Sequence, residues 1–379
     1  MKRLAGVAAA ALGTAMAVGL FAQTSTRKTL DIYVADTEGG KAALFVAPSG
    51  ETVMIDTGNP GPRDHDRIIA MVEHAGVKTI DHLILTHYHV DHVGGLAELA
   101  KRIPIRHYID HGPTAEPKEQ VQGFQDAYAA LYNAATHTVV RPGDRVPVAG
   151  LDWRIVAAGA AALTSALPGG GQANAACASF VKKNASVDEN NQSVGSVVTF
   201  GQFRLIDLGD LMWNNEYDLV CPRNLVGAVD LYMVSHHGLD ASGSPALVHG
   251  IRPRAAVMQN GTRKGGTPNT LQTLRSSPGF EDVWQLHWSY TAMIEHNPAG
   301  VFIANVDDLP AIAGVLNPAA PPSTAPAPGA PPQPAPGRGR GSSANAHSPA
   351  YWIKVSAEQN GTFTVTNSRN DFSKTYVKR

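Results

Sequence analysis

The residues best suited to chemistry lie between Thr86 and His92, in the run Thr86-His87-Tyr88-His89-Val90-Asp91-His92. His87, His89, Asp91 and His92 are four metal-ligand side chains within six positions. The apolar run Leu83-Ile84-Leu85 precedes them and reads as a buried strand. A strand ending in such a turn sets its side chains at the rim of a sheet, where an ion can reach them. His87 and His89 alternate, so both rings can face one ion. Asp91 and His92 follow as the chain turns into Gly94-Gly95 and a helix, and they can serve a second ion. Imidazole and carboxylate suit zinc, or manganese where oxygen ligands dominate. A solvated polar turn is the plain alternative, but ligand groups packed this densely are costly to bury without a cation.

Three further positions offer the same chemistry. Asp207-Leu208-Gly209-Asp210 ends a strand, and Asp210 could bridge two cations with one carboxylate. His236-His237 ends another. Asp56 follows a third strand and could hold a ligand histidine by its second ring nitrogen. Singly, each reads as a turn former or a satisfied loop residue. Together with the first cluster, and in this chain order, they converge on one site. Lys264 lies in the Gly-rich loop Asn260 to Gly266 and is either an anion binder, for instance for phosphate, or a solvated loop lysine. His287 follows the strand Val283 to Leu286 and either points at the site or is structural.

The elements that position these residues are legible in outline. Leu30 to Val34, Ala42 to Ala47 and Thr52 to Ile55 read as strands, with Ser49-Gly50 a turn between the last two. Asn59-Pro60-Gly61-Pro62 opens a loop, and Ile68 to His74 carries helical spacing. Helices are expected over Leu96 to Lys101 and Glu119 to Ala135. Ala157 to Ala178, rich in Ala, Gly and Ser, reads as an insertion or surface loop. Ser193 to Phe200 and Phe203 to Leu208 form a hairpin about Gly201-Gln202. Val229 to Val234, Ala255 to Met258 and Val283 to Leu286 complete a strand–helix alternation. Tyr351 to Val355 and Thr362 to Thr366 alternate across Asn360-Gly361, a strong hairpin signal.

The chain has 379 residues, 43% hydrophobic and 17% charged, enough for one large core or two modest ones. Its formal net charge of −1 gives no strong basic footprint for nucleic acid. Lys2 and Arg3 followed by the uncharged apolar run Leu4 to Phe21 read as a secretory signal peptide over residues 1–22. Cleavage would leave no transmembrane segment and a periplasmic or extracellular protein; retention would leave a membrane anchor. The expected organisation is that leader, a main domain over 28–316, a Pro/Ala/Gly-rich linker or loop over 317–348, and a C-terminal β-hairpin over 349–379 packing on the main domain. Cys177 and Cys221 could pair in an exported protein, although spacing does not show that they meet.

The order Asp56-Thr57-Gly58, Thr86 to His92, Gly209-Asp210 and a strand-end histidine resembles the metallo-β-lactamase superfamily. Within it, Asn190-Asn191-Gln192-Ser193-Val194, Gly209-Asp210 with Glu216, Ser235-His236-His237-Gly238 and Arg252-Pro253 look most like the competence-type (ComEC-type) branch and its secreted relatives. The resemblance implies an α/β fold, an αββα four-layer sandwich with the metals at one edge. It implies that His87, His89 and Asp210 hold one divalent ion, zinc or manganese. Asp91, His92, Asp210 and either His236 or His237 would hold the other. A hydroxide shared by the ions would attack, and the remaining histidine of the pair could contact the scissile group or donate a proton to the leaving oxygen.

Departures bear on specificity. Most superfamily hydrolases supply a third histidine to the first ion, and Asn190 stands at the matching position. His107, His111 and His137 are spare candidates upstream. The family's early Gly-Gln-Gly-Asp reads Glu38-Gly39-Gly40-Lys41 here, and the His-Pro expected after the Arg-Pro strand reads Gly265-Gly266-Thr267-Pro268. The expected activity is hydrolysis of a small-molecule or polymeric ester, a phosphoester or phosphodiester first. A lactonase, β-lactamase or other ester or amide hydrolase is the alternative, and a non-catalytic metal-stabilised surface module is a remote one. Fold alone does not choose among them.

Overall fold

The computed structural model describes residues 28–116, 118–184, 188–306 and 350–378, together with Met1. Met1 apart, the expected leader at 1–22 lies outside the described residues, as do the Pro-rich stretch 317–348 and the expected domain end at 316.

Two sheets stack face to face. The first runs, edge to edge, Ser373–Tyr376, Phe363–Asn367, Ile353–Ala357, Leu30–Val34, Ala43–Val46, Thr52–Ile55, Ile80–Ile84, Ile105–Asp110 and Thr136–Val139. The second runs Ile303–Asn305, Asp282–His287, Ala255–Met258, Leu231–Met233, Phe203–Asp207, Gly195–Phe200, Asp152–Ala158 and Arg145–Val146. Both are mixed. Thr52–Ile55, Ile80–Ile84 and Ile105–Asp110 lie parallel, as do Phe203–Asp207, Leu231–Met233 and Ala255–Met258.

The burial pattern explains the layering. Every residue of Leu30–Val34 is buried, yet the alternation persists inside it. Leu30, Ile32 and Val34 enter the core between the sheets with Phe45, Trp153, Val198, Leu205 and Trp284. Tyr33 faces the other way, with Leu44, Met54 and Leu83, onto Ile68, Met71, Val72 and Leu99. The second sheet likewise turns Val197, Ile206 and Tyr232 onto Leu219, Leu247 and Leu271. Strands covered on both faces need apolar residues at consecutive positions, which is why they read as continuous runs. Each fully buried large side chain contributes about 1.5–3 kcal/mol. The expected αββα sandwich is the observed one.

Three details differ from the sequence reading. The helix expected from Ile68 starts at Pro62 and runs to His74. Proline at the first helical position lacks only an N–H that would have had no partner there. The C-terminal hairpin has a third strand, Ser373–Tyr376, whose polar sequence hid it. This unit extends the first sheet, with Ile353–Ala357 antiparallel to Leu30–Val34. Finally, the Ala/Gly/Ser-rich stretch from Ala157 is tied down. Gln172–Ala173 pairs with Arg223–Asn224, and Cys177 and Cys221 form a disulfide.

Candidate metal centre

The fold brings the ligand-type residues together because each follows the carboxyl end of a strand. Asp56 follows Thr52–Ile55, and Thr86 to His92 follow Ile80–Ile84. Asp210 follows Phe203–Asp207, and His236-His237 follow Leu231–Met233. Parallel neighbours end on the same side, so four loops meet at one edge of the sandwich, as the crevice of an open α/β sheet does.

Asp91, His92, Asp210 and His237 are all buried, and one ligand atom from each lies within 4.8 Å of the others. Asp210 Oδ2 is 3.2 Å from His92 Nε2 and 3.3 Å from His237 Nε2. Asp91 Oδ2 is 3.1 Å from His237 Nε2. Both histidines are oriented from behind. His92 Nδ1 donates to Asp56 Oδ2 at 2.8 Å, and Thr86 Oγ1 and N donate to the same carboxylate at 2.7 and 2.8 Å. His237 Nδ1 donates to the Gln259 carbonyl at 3.0 Å. Such donation turns each Nε2 toward the cluster, where an ion would take the place of any proton on it. Of the histidine pair, His237 therefore joins the four donors. His236 sits beside them, with Nε2 3.6 Å from Asp210 Oδ2 and Nδ1 3.2 Å from Ser242 Oγ.

His87 and His89 lie next to this group. His87 Nε2 is 3.1 Å from His89 Nδ1, and the His87 and His92 rings are 4.1 Å apart. Asn190 Oδ1 is 2.8 Å from His89 Nδ1. The spare candidates are spent elsewhere. His111 pairs with Glu189, His107 with His82, and His137 with Asp110. His287 meets Asp36 at 2.6 Å, in a separate cluster with Glu38, so it does not join the four donors. Lys264 is brought to the centre, its ammonium paired with Asp91.

The donor set fits divalent cations. Asp210 Oδ1 is buried with no hydrogen-bond partner among the described residues, a costly condition that an ion would relieve. Burial works against charge on His92, but Asp210, Asp56 and Asp91 outweigh it and hold its pKa well above the ordinary value. Burial alone would raise Asp91; the Lys264 ammonium and His92 overcome this and hold it well below the carboxylate range. Asp210 is likewise held low, against burial, by His237, His92 and His236. Burial drives the His87 pKa far down, with His92 adding to the effect, so this ring is neutral and keeps a lone pair to give.

Backbone geometry is specialised at the same place. His236 and His237 have φ of 51° and 56°, the left-handed region that ordinary side chains avoid. Gly265 packs against this turn; a Cβ there would fall 1.9 Å from the His237 carbonyl oxygen. Sequence reading missed Glu189, whose carboxylate accepts from Tyr88 N, His111 Nε2, Thr114 Oγ1 and Ala115 N. Lys41, read in the sequence only as a departure from the family's motif, forms a buried ion pair with Asp207. The Lys41 departure therefore has a structural partner close to Asp210. An acid next to Asn190 and a lysine directly after two glycines were the available signals.

Residues 36–177 match the sequence family described as the metallo-beta-lactamase superfamily. This stretch is what the chain shares with that superfamily. It contains Asp56 and the Thr86 to His92 cluster. A ribonuclease Z of Methanopyrus kandleri is 33% identical over 111 residues, 28% of this chain and 36% of the relative. A hydroxyacylglutathione hydrolase of Rhodopseudomonas palustris is 34% identical over 108 residues, 28% of this chain and 34% of the relative. A lactamase-like protein of Pestalotiopsis microspora is 34% identical over 65 residues, 17% and 20% of the two chains. The chain thus spans between 20% and 36% of the length of these curated relatives. Among solved structures, a metal-dependent hydrolase of the beta-lactamase superfamily has a TM-score of 0.40 and 12% identity, covering 68% of this chain and 95% of that one.

Proposed function

We propose that this protein is an exported two-metal hydrolase of phosphoesters, with phosphodiesters first. The observation that carries the reading is the group of four buried donors, Asp91, His92, Asp210 and His237, beside which the other Asp210 oxygen, Oδ1, has no partner among the described residues. His87, His89 and Asp210 would hold one ion; Asp91, His92, Asp210 and His237 would hold the other. Bound there, zinc or manganese supplies Lewis acidity and lowers the pKa of a coordinated water toward neutrality.

The protein's own side chains have distinct tasks. Asp56 and the Gln259 carbonyl fix the tautomers of His92 and His237. Burial lowers the His236 pKa, so the ring is neutral near pH 7. With Nδ1 paired to Ser242 Oγ, Nε2 faces Asp210, where a neutral ring can hydrogen-bond a leaving oxygen without giving up its proton. The Lys264 ammonium, on a glycine-rich loop at the rim, suits an anionic ester and supports the phosphoester reading. A carboxylic ester or thioester substrate is the second reading, favoured by the hydroxyacylglutathione hydrolase relative. The Cys177–Cys221 disulfide supports an oxidising compartment, and hence export. No helix among the described residues is long and apolar enough to cross a membrane.

The test is turnover by the full chain, stripped of metal and reloaded with zinc or manganese. Bis-(p-nitrophenyl) phosphate, p-nitrophenyl phosphorylcholine, a lactone and a cephalosporin would be offered in parallel. Phosphodiester turnover is expected. Asp210→Asn and His89→Ala should each abolish it and lower metal content, with circular dichroism unchanged. Turnover of the lactone or cephalosporin alone would move the substrate to the second reading. Full activity in both variants would sink the two-metal assignment.

A further inference from the structure

We infer that Asn190 is itself an ion ligand, through Oδ1, and that the protein carries two metal sites of unequal strength that fill in order. The inference rests on the two-ion reading above and adds the donor that the first ion otherwise lacks.

Three atoms with lone pairs converge next to the four buried donors, where the His87 and His92 rings lie 4.1 Å apart. His87 Nε2 lies 3.1 Å from His89 Nδ1, and His89 Nδ1 lies 2.8 Å from Asn190 Oδ1. The other nitrogen of His87 is engaged from behind by Thr86 Oγ1 at 3.1 Å, which leaves Nε2 for the centre. Asp210 Oδ1, which the two-ion reading shares with this ion, has no hydrogen-bond partner among the described residues. Two imidazole nitrogens, one amide oxygen and one carboxylate oxygen make a plausible four-donor set for a borderline or hard divalent ion.

Asn190 is held in place by a dedicated support. Its backbone N–H donates to Asp188 Oδ1 at 2.9 Å. The adjoining Glu189, fully buried, ties the same short turn to the backbone N–H of Tyr88, the residue between the two histidines, and to His111, Thr114 and Ala115. Asn190 is itself only 6% exposed. Behind His89, ligand atoms of Glu116 and Asp188 lie within 4.8 Å of the ring and of each other, so the surroundings are negative. Negative second neighbours raise the basicity of a ligand imidazole.

The two donor sets differ in strength. The set made by Asp91, His92, Asp210 and His237 has two carboxylates and two imidazoles. The set made by His87, His89, Asn190 and the shared Asp210 has one carboxylate and a neutral amide. An amide oxygen is a harder and weaker donor than imidazole, so this second set should bind zinc less tightly and discriminate less against manganese. A simple hydrogen bond from His89 to Asn190 is the competing account, and it predicts no effect of Asn190 on the stoichiometric steps.

The experiment is calorimetric titration of the metal-stripped full chain with zinc alone and, separately, with manganese alone. Wild type should take two zinc ions in two resolved steps of unequal affinity. Asn190→Ala should weaken the weaker step about tenfold or more and leave the tighter one unchanged. Asn190→His should tighten that weaker step for zinc and reduce its relative preference for manganese. His237→Ala should remove the tight step. Circular dichroism on each variant separates ligand loss from misfolding, and a gain of affinity in Asn190→His cannot come from misfolding. Two equal steps in wild type would overturn the inference and leave the two-ion reading standing. So would a weaker step that neither Asn190 variant moves, or variants that move both steps alike. Fewer than two ions of either metal in wild type would overturn both.

Discussion

At the scale of single residues, the candidate site is shaped by groups that stand behind its donors. Asp56 faces His92 from behind and has its own left-handed backbone, φ 58°. Its carboxylate also accepts from Thr86 N and Oγ1, so it cannot swing away. Asp56→Asn keeps the shape but exchanges an anionic acceptor for an amide. Loss of such a partner lowers metal affinity about 10–100-fold. The expected result is that loss in a chelator-competition titration, with near-unchanged circular dichroism; unchanged affinity would remove Asp56 from its orienting role. Gly265 acts by absence: its close approach to the His237 carbonyl leaves no room for a Cβ, so the loop carrying Lys264 and the histidine turn are built as one unit.

At the scale of elements, the short helix Trp213–Val220 positions the loop behind His236. Glu216, on its first turn, accepts from Gly243 N at 2.6 Å and Ser244 N at 2.8 Å, and it is fully buried. Burial pushes its pKa up to about 7 from the ordinary 4.5, against the lowering effect of those N–H groups. Below about pH 4.5 the group is protonated in folded and unfolded chains alike, and its contribution to stability is complete. As pH rises through about 7 the unfolded chain ionises first, and that contribution is lost. Glu216→Gln does not titrate. Wild-type stability relative to Glu216→Gln should therefore fall by about 3 kcal/mol between pH 4.5 and 7.5, measured by urea unfolding at each pH. A pH-independent difference would contradict the raised pKa.

At the scale of the whole molecule, two long-range ties hold the second sheet's outer layer and the first sheet's edge. The disulfide closes a loop with a sequence separation of 44, joining the Ala/Gly-rich stretch to the end of the Trp213–Val220 helix. Chain-entropy reasoning assigns such a loop about 4 kcal/mol, less any relaxation of the reduced state. Cys177→Ser with Cys221→Ser should lower stability by about 2–4 kcal/mol by denaturant unfolding. Reductant should reproduce that loss in wild type and do nothing further to the double variant. Equal stability with and without reductant would show that the bridge contributes nothing. The other tie is the C-terminal unit. Ile353, Val355, Phe363 and Val365 enter the inter-sheet core, so this unit completes the core as well as covering the Leu30–Val34 edge.

Local chemistry was enough to read the ligand cluster, since His87 to His92 carry their spacing in the chain, and enough to place Asp56, Asp210 and the histidine pair at strand ends. Period-2 and continuous apolar runs likewise give most strands, because covered sheets demand them. Other features depend on atoms far apart in sequence. The choice of His237 over His236 follows from two strained turn residues facing opposite neighbours. The pairings of Lys264 with Asp91 and of Lys41 with Asp207 cross 173 and 166 positions. The diversion of His287 to Asp36 crosses 251. Strand Ser373–Tyr376 is polar and acquires its role only from Phe363–Asn367 beside it. Residue type and local spacing determined which groups could bind an ion; only the stacking of two sheets decided which of them share one, because that sharing is a matter of distance across the sandwich.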